Sequence, residues 1–521
     1  MPLEKIQLSD THSFSSFFLD YIGGSEKLKN FYARKPDIDS FREQIENKKS
    51  FPAATRSILT QSLRRQYRNS DLSGPVASNL DALDSTNTFT ITTGHQLNIF
   101  TGPLYFIFKI VTVINTCKAL KKKYPGFNFV PVYWMASEDH DFDEISYFRL
   151  NGKKYQWNTS QTGAVGRFDP TELDPLLKEI TGDISVFNDA YRNHKTLSDA
   201  VRYYVNALFG DEGVVVVDAD DQALKKILAP VMREDVFDHT PHRFVDADTK
   251  SLQQLGYHTQ VNAREINFFY LSDNIRDRIE ADENGFHVVN RDIHFSRTAL
   301  EQMIASTPEK LSPNVILRPL YQEMILPNLA YVGGPSELVY WLQLKSMFTH
   351  FKIPFPVLMP RNFGMIIDHV TLRKFEKTGL ELKDLFEEKN YLNNHWVLKN
   401  SNSNLTLGPT INSFRAAFEA IRQQAGNIDP TLISHVEARG KQTIHGLEII
   451  EKKMLRAEKR RHAEKLKQIE AIKDTLFPGG NLQERTDNFL NFYQSNTEFL
   501  KDLQAAFDPF DFRMHILTYH D

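Results

Sequence analysis

Apolar residues recur at four-residue steps through the first 85 positions, as at Leu59, Leu63 and Tyr67, a spacing that predicts helices. The pattern then changes to the β-rich run TFTITTG, which predicts a strand ending on Gly94. Leu104 to Ile114 is apolar except for Lys109 and predicts a buried helix. Thr101, Gly102 and Pro103 supply its cap and first turn, Lys121, Lys122 and Lys123 suit its carbonyl end, and Pro125-Gly126 is its stop. NFVPVYWMA, from Asn128 to Ala136, reads as a second buried strand, so the three pieces make a β-α-β unit with a right-handed crossover. The pattern repeats at GVVVV, Gly213 to Val217, ahead of a helix from about Gln222 to Arg233. Val315 to Leu317, Tyr331-Val332 and Phe355 to Leu358 predict further short strands, separated by helices around Leu320 to Leu329 and Glu337 to His350. Such alternation predicts an α/β fold, a Rossmann-like, doubly wound parallel sheet.

Two connecting insertions interrupt the core, at about 150–205 and 240–310, and in the second HTQVNA, NFFYLS and FHVV predict short antiparallel strands laid over the sheet. The core domain so drawn spans 1–370. From 371 to 480 helix formers dominate. Between Leu432 and Leu476, Val436, Ile444, Leu447, Ile450, Met454, Ala457, Leu466, Ile469 and Ile472 mix three- and four-residue steps, which predicts an α-helical coiled-coil domain. A continuous rod of that length, on the order of 65 Å, needs a partner along its seam. A homodimer is expected, with the helical segment from Ser413 to Ile428 as a partial cover within the chain. Pro478-Gly479-Gly480 ends the rod, and 481–521 is a tail expected to pack back on the core.

Composition narrows the function classes. The 521 residues are 41% apolar and 12% aromatic, enough for a large core. A formal charge of -4, with both signs mixed along the chain, predicts no nucleic-acid partner. The single Cys117 excludes an internal disulfide or a cysteine-based zinc site and fits a reducing, cytoplasmic setting. The N-terminal MPLEKIQLSDTHSFSSFF lacks the apolar stretch of a signal peptide, and the run from Leu104 is much shorter than the roughly 20 residues of a membrane span, so no membrane association is expected.

In an open parallel sheet the loops leaving neighbouring strands converge on one crevice, which brings Gly94 to Gly102 and Ser137 to Asp143 together. The first loop offers Gly94 for close backbone approach, the side chains of His95, Gln96 and Asn98, and the N–H groups of the following helix as an anion cradle. In the second, His140 flanked by Asp139 and Asp141 has the elements of a general base, because acidic neighbours stabilise the imidazolium. The same oxygens could serve a divalent cation, but the open spacing and lack of cysteine partners argue for no metal. Gly333-Gly334-Pro335-Ser336-Glu337 offers another helix N-terminus to an anion, with the Gly turn capped by Ser336 as its structural alternative. Arg318, Gln322, Glu323, Arg361 and Asn362 are the nearest cationic and polar candidates for a dicarboxylate substrate. His239, His242 and His258 have no metal-ligand spacing and read as ordinary hydrogen-bonded histidines.

TTGHQLNIFTGPLY, VPVYWMASEDHDFDEI, SPNVILRPLYQEMILPNLAYVGGPSELVYWLQLK and NLQER, in that order, resemble the bacillithiol biosynthesis cysteine-adding enzymes, from about residue 85 to the end. The resemblance implies a nucleotidyltransferase-like Rossmann core, a coiled-coil dimerisation domain, and addition of L-cysteine to the amine of glucosaminyl-malate. Thr92-Thr93-Gly94-His95 also resembles the loop by which such cores hold nucleotide phosphates. That family often has Gln at the position of His95, so His95 is read as a binding residue and proton transfer is assigned to His140 with Asp139 or Asp141. The loop from Thr92 to His95 leaves ATP or another nucleotide open as a cofactor, although neither a P-loop nor a KMSKS-like segment is present. Two other functions remain to be discriminated: a nucleotidyltransferase that activates a small carboxylic acid, and a non-catalytic dimeric scaffold.

Overall fold

A computed structural model describes residues 2–70, 72–283 and 285–519. The chain divides into two units, the first formed by Met1–Ser9, Ser13–Met365 and Asn481–Leu517, the second mainly by Ile366–Gly480.

The first unit is built on five parallel strands, β1 (Thr88–His95), β2 (Asn128–Met135), β3 (Val215–Asp218), β4 (Asn328–Gly333) and β5 (Val357–Pro360), in the order β5-β4-β1-β2-β3. Successive strands run outward from β1 in one direction and then restart on its other side at β4, so the topological switch lies between β1 and β4. Both faces of these strands are buried, which is why β2, β3 and β5 read as near-continuous apolar runs, while threonines of β1 donate to Asn328 and the Val332 carbonyl of β4. The β1–β2 crossover is helix α1 (Tyr105–Lys123), apolar nearly all round because it has cover on both sides. Its inner face meets the sheet, and Asn115 donates to the carbonyls of Gln504 and Phe507 from the C-terminal segment. Other helices that shape the site are α2 (Ala229–Asp238), α3 (Arg318–Ile325) and α4 (Pro335–Trp341).

Several expectations are corrected in detail. Helix α1 starts at Tyr105 with no side-chain cap, because Phe100, Thr101 and Gly102 all take positive φ (51, 68 and 63°) and turn the chain before it. Thr101 is buried and its hydroxyl finds no hydrogen-bond partner among the described residues. Val315 to Leu317 is not a strand: the Asn314 side chain accepts from the N–H groups of Ile316 (2.8 Å) and Leu317 (3.3 Å) and turns the chain into α3. Leu329 lies in β4, not in a helix. The helix expected from Glu337 to His350 is α4, a 3-10 turn and Lys345–His350. In the second insertion, Phe268–Ser272 and Gly285–Val288 form strands as expected, in a five-stranded antiparallel sheet completed by Ile275–Asp282, His294–Phe295 and Leu311–Pro313. HTQVNA, in contrast, is irregular. Its backbone is held by side chains: Gln343 accepts from the N–H groups of Gln260 and Val261 and donates to the Val261 carbonyl, and the His242 ring contacts the Ala263 carbonyl.

The second unit is helical. Helices α5 (Gly408–Ile428) and α6 (Leu432–Arg461) form an antiparallel pair, in which Phe418 packs on Gly440, leaving no room for a larger residue, and Arg422 faces Glu437. The rod is not one helix: at His462 the backbone leaves helical values (φ -101°, ψ 17°) and α7 (Ala463–Leu476) begins. Leu466, Ile469, Ile472 and Leu476 of α7 are buried, whereas Ile421, Ile428, Ile449 and Ile450 on α5 and α6 remain exposed.

Candidate active site

At the carboxyl ends of β1, β2 and β4, beside the switch point, lies a cavity of about 600 Å³. One end is cationic. Tyr105 and Lys109 are four residues apart on α1 and so share its cavity-facing side. Lys109 donates to the Gly94 carbonyl (2.9 Å) and pairs with Glu337 (2.7 Å). At Gly94 the backbone comes close to the site, since a Cβ there would just touch Arg318 Nη1 and the Tyr331 hydroxyl, both 3.4 Å away. Arg318 is fixed by the Gln322 side chain, the Tyr340 hydroxyl and the face of Tyr331. Arg361 reaches Glu484 (2.5 Å) and the Asn362 carbonyl and lies between the rings of Tyr105 and Phe363. Arg485 also lines this end.

The electrostatics of this end follow from burial. Burial, then Lys109 and Arg361, hold His95 well below its ordinary pKa, so the ring is neutral. Burial also lowers the Lys109 ammonium, partly offset by Glu337, and burial followed by Glu337 pushes Tyr105 up to about 12. Among the described residues, His95 Nε2 and Arg361 Nε are both buried without a hydrogen-bond partner. Unsatisfied polar atoms in a cation-rich cavity are suited to an anion, above all a planar carboxylate or a phosphate.

The other end carries carboxylates. Glu138 pairs with the fully buried Lys225, and burial pushes the Glu138 carboxyl up to about 7 despite that partner. Burial also raises Asp139, but Arg276, Gln96 and the N–H groups of His140 and Asp141 outweigh it and hold the carboxyl below its ordinary value. Arg276 comes from the antiparallel sheet, braced by Ser312, the Pro313 carbonyl and the face of Phe269, and its Nη1 lies 2.6 Å from His140 Nδ1. This corrects the expectation that acidic neighbours stabilise an imidazolium at His140: burial, then Arg276, lower its pKa, outweighing Asp139 and Asp141. A guanidinium only donates, so Nδ1 carries the lone pair and the proton resides on Nε2.

Of the residues singled out from sequence, the cavity gathers Gly94, His95 and Gln96 from β1 and its loop, Asp139 and His140 after β2, and Arg318, Gly334, Ser336 and Arg361 around β4 and β5. Pro335 and Glu337 line it as well, and the remaining candidates do not. Thr92 donates to Asn328 within the sheet, and Asn362 bridges Thr112 and the Asp508 carbonyl. Glu323 pairs with Lys48 and receives Gln322, so these two buried residues brace Arg318 from behind. Gly333 packs against Leu338 and Tyr331, and Asp141 is exposed beside the cavity. Thr101 and Gly102 lie outside it, and the first N–H of α1's lead-in, at Leu104, donates to the Asp487 carbonyl rather than standing free. The Gly334 N–H is likewise taken by Glu337 (2.6 Å). Among the described residues no group of three His, Cys, Asp or Glu side chains is placed to hold a metal.

Sequence reasoning missed Lys109, Lys225, Arg264 and Arg276 as site residues. A signal existed for Lys109, the one charge in the apolar run from Leu104 to Ile114, and for Arg485, also missed, which ends the NLQER segment. None existed for Arg264 and Arg276, brought in by an insertion more than a hundred residues away from the β2 loop.

The chain is similar over its whole length to known proteins. The family described as bacillithiol biosynthesis BshC, N-terminal Rossmann-like domain, matches residues 1–362, and its C-terminal coiled-coil domain matches 364–519. A relative from Christiangramia forsetii is 40% identical, covering 100% of this chain and 99% of its own. One from Flavobacterium johnsoniae is 39% identical over 99% and 100%, and one from Salinibacter ruber 30% identical over 95% and 94%. All three bear the name "Putative cysteine ligase BshC".

Proposed function

The chain belongs to the bacillithiol biosynthesis BshC family, and we propose on that premise that it is a cytoplasmic ligase joining the carboxyl of L-cysteine to the amine of glucosaminyl-malate. The observation that carries the reading is one cavity with a cationic end facing a buried carboxylate. Lys109, Arg318, Arg361 and Arg485 offer charge and hydrogen bonds to the two malate carboxylates. The sugar ammonium must lose a proton before it can attack an acyl carbon. Glu138 is the group best poised to accept it, being close to half-ionised at neutral pH, while His140 presents Nε2–H and Asp139 a carboxylate at the same end. The amide forms as the acyl carbon loses one oxygen, which would leave as water with the two protons released by the nitrogen if the free carboxylate reacts, or on the phosphate of a nucleoside monophosphate if ATP first activates it.

The decisive experiment follows product mass after incubating the protein with cysteine and glucosaminyl-malate, with and without ATP and magnesium. Amide formed only with nucleotide assigns activation of the cysteine carboxylate to ATP, and amide formed without it removes ATP from the reaction. No product in any arm, or pyrophosphate release without amide, overturns the ligase reading.

The helical unit we assign to homodimer formation. Ile421, Ile449 and Ile450, exposed on the helix pair together with Phe414, Ile428 and Leu432, support a second copy as the cover.

A further inference from the structure

Asp235 lies fully buried on α2 and does not line the cavity, yet everything it touches leads there. Its two carboxylate oxygens accept from the backbone N–H (2.6 Å) and the side-chain amide (2.9 Å) of Asn267. Asn267 in turn donates to the Arg264 carbonyl (2.7 Å) and accepts from the Arg264 N–H (3.1 Å) and the Asn314 amide (2.9 Å), and its own carbonyl receives the Asn314 N–H. Arg264 and Asn262 lie on the irregular segment 257–267, and Asn314 caps the turn that launches Arg318. One carboxylate therefore anchors two stretches of cavity wall at the point where the ladder between Phe268–Ser272 and Leu311–Pro313 gives out.

We infer that Asp235 is a positioning residue: acting through Asn267, it fixes the wall segments that present Arg264, Asn314 and Arg318 to the ligand. Stability alone is a poor reason for such a group. Among the described residues it has no ion-pair partner, and burial pushes its carboxyl up to about 7 against the pull of the Asn267 hydrogen bonds. An apolar pair of similar shape would still pack α2 against the segment, at the cost of leaving the buried Asn267 N–H without an acceptor. What an apolar pair lacks is direction. The carboxylate sets the plane of the Asn267 amide, and that plane sets which way the Arg264 and Asn314 backbones face.

The test replaces each end of the link separately, as Asp235→Asn, which turns one acceptor into a donor against Asn267, and as Asn267→Ala, which keeps only the backbone bond to Asp235. Hydrogen exchange read by mass spectrometry should quicken at least about tenfold in segments 257–267 and 311–317 of either variant, with β1 and β2 unchanged. KM for glucosaminyl-malate should rise about tenfold while kcat stays within about twofold. A merely structural role would instead raise exchange evenly along the first unit, or lower the melting temperature and leave both readouts unmoved; either result overturns the inference. Localised exchange with unchanged KM overturns it too, since the wall would then move without consequence for binding. If Asp235→Asn fails to fold, Asn267→Ala decides alone. The kinetic arm rests on the ligase reading; the exchange arm needs no substrate, so the failure of one is distinguishable from the failure of the other.

Discussion

In the first unit Lys48, Lys109, Lys225 and Arg361 are almost wholly withdrawn from water, each against a carboxylate, whereas in the second Ile421, Ile428, Ile449 and Ile450 stand in it. Each arrangement carries a cost. A buried ion pair seldom stabilises more than apolar packing would, so four of them in one unit, three lining or facing one cavity, mark a place where charge is used. Exposed isoleucines on a helix pair lose solvation free energy until something covers them. The first unit thus reveals its function by what it hides, and the second by what it leaves uncovered.

The contrast breaks most visibly at Arg361. Arg361→Leu leaves Glu484, fully buried, without its cation and should cost about 3–5 kcal/mol of stability in denaturant unfolding. Adding Glu484→Leu should recover much of that loss while leaving the cavity short of a guanidinium. If the single variant is as stable as the parent protein, the buried pairs are not the tight couples described.

Glu138→Gln comes next, with an expected fall in kcat of about 100- to 10,000-fold if this carboxylate takes the amine proton. In the parent protein kcat/KM should rise with pH through about 7 and then level, and the variant should lose that inflection. Linkage runs the opposite way. A carboxyl raised from 4.5 to about 7 on folding means that the folded chain binds more protons than the unfolded one across that window, so its contribution to stability is present below 4.5 and lost as pH rises through about 7. Rate and stability should therefore diverge over one pH range, and parallel profiles would remove Glu138 from the role of base.

The smallest effect sharpens the contrast within the helical unit. Ile469→Ala, in the buried row of α7, should destabilise that unit by about 2–5 kcal/mol. Ile450→Glu, at a position 49% exposed in the single chain, should change the stability of the monomer itself by no more than about 0.5 kcal/mol, apart from what loss of the second copy removes. Sedimentation should nonetheless find Ile450→Glu monomeric and the parent dimeric. A monomeric parent at micromolar concentration ends the homodimer proposal.

The sheet was legible in sequence because buried parallel strands admit few charged residues: β2 and β3 are apolar runs, and β1 is a β-branched run closed by Gly94. Where the reading failed, side chains had replaced the ladder. Val315-Ile316-Leu317 has strand composition, but the Asn314 cap bends it into a helix; HTQVNA alternates like a strand, but Gln343 and His242 take its backbone groups. The rod read as one period because the break at His462 leaves the spacing of apolar residues almost unchanged. In the site, the β1 and β2 loops were legible because strand order dictates where they converge. The protonation of His140 was not, since the arginine that decides it lies far along the chain.

Cys117, the one cysteine among 521 residues, is buried in α1, and burial pushes its thiol far above the ordinary range. Almost none of it is thiolate at neutral pH, and only the thiolate exchanges with disulfides or attacks electrophiles. On the proposed reaction, a catalyst that takes in one thiol and releases another has no reactive sulfur of its own. It cannot form a mixed disulfide with oxidised product without first unfolding around α1. Thiol reagents added to a working assay would therefore titrate substrate and product alone, and oxidative stress would spare the enzyme while consuming what it makes.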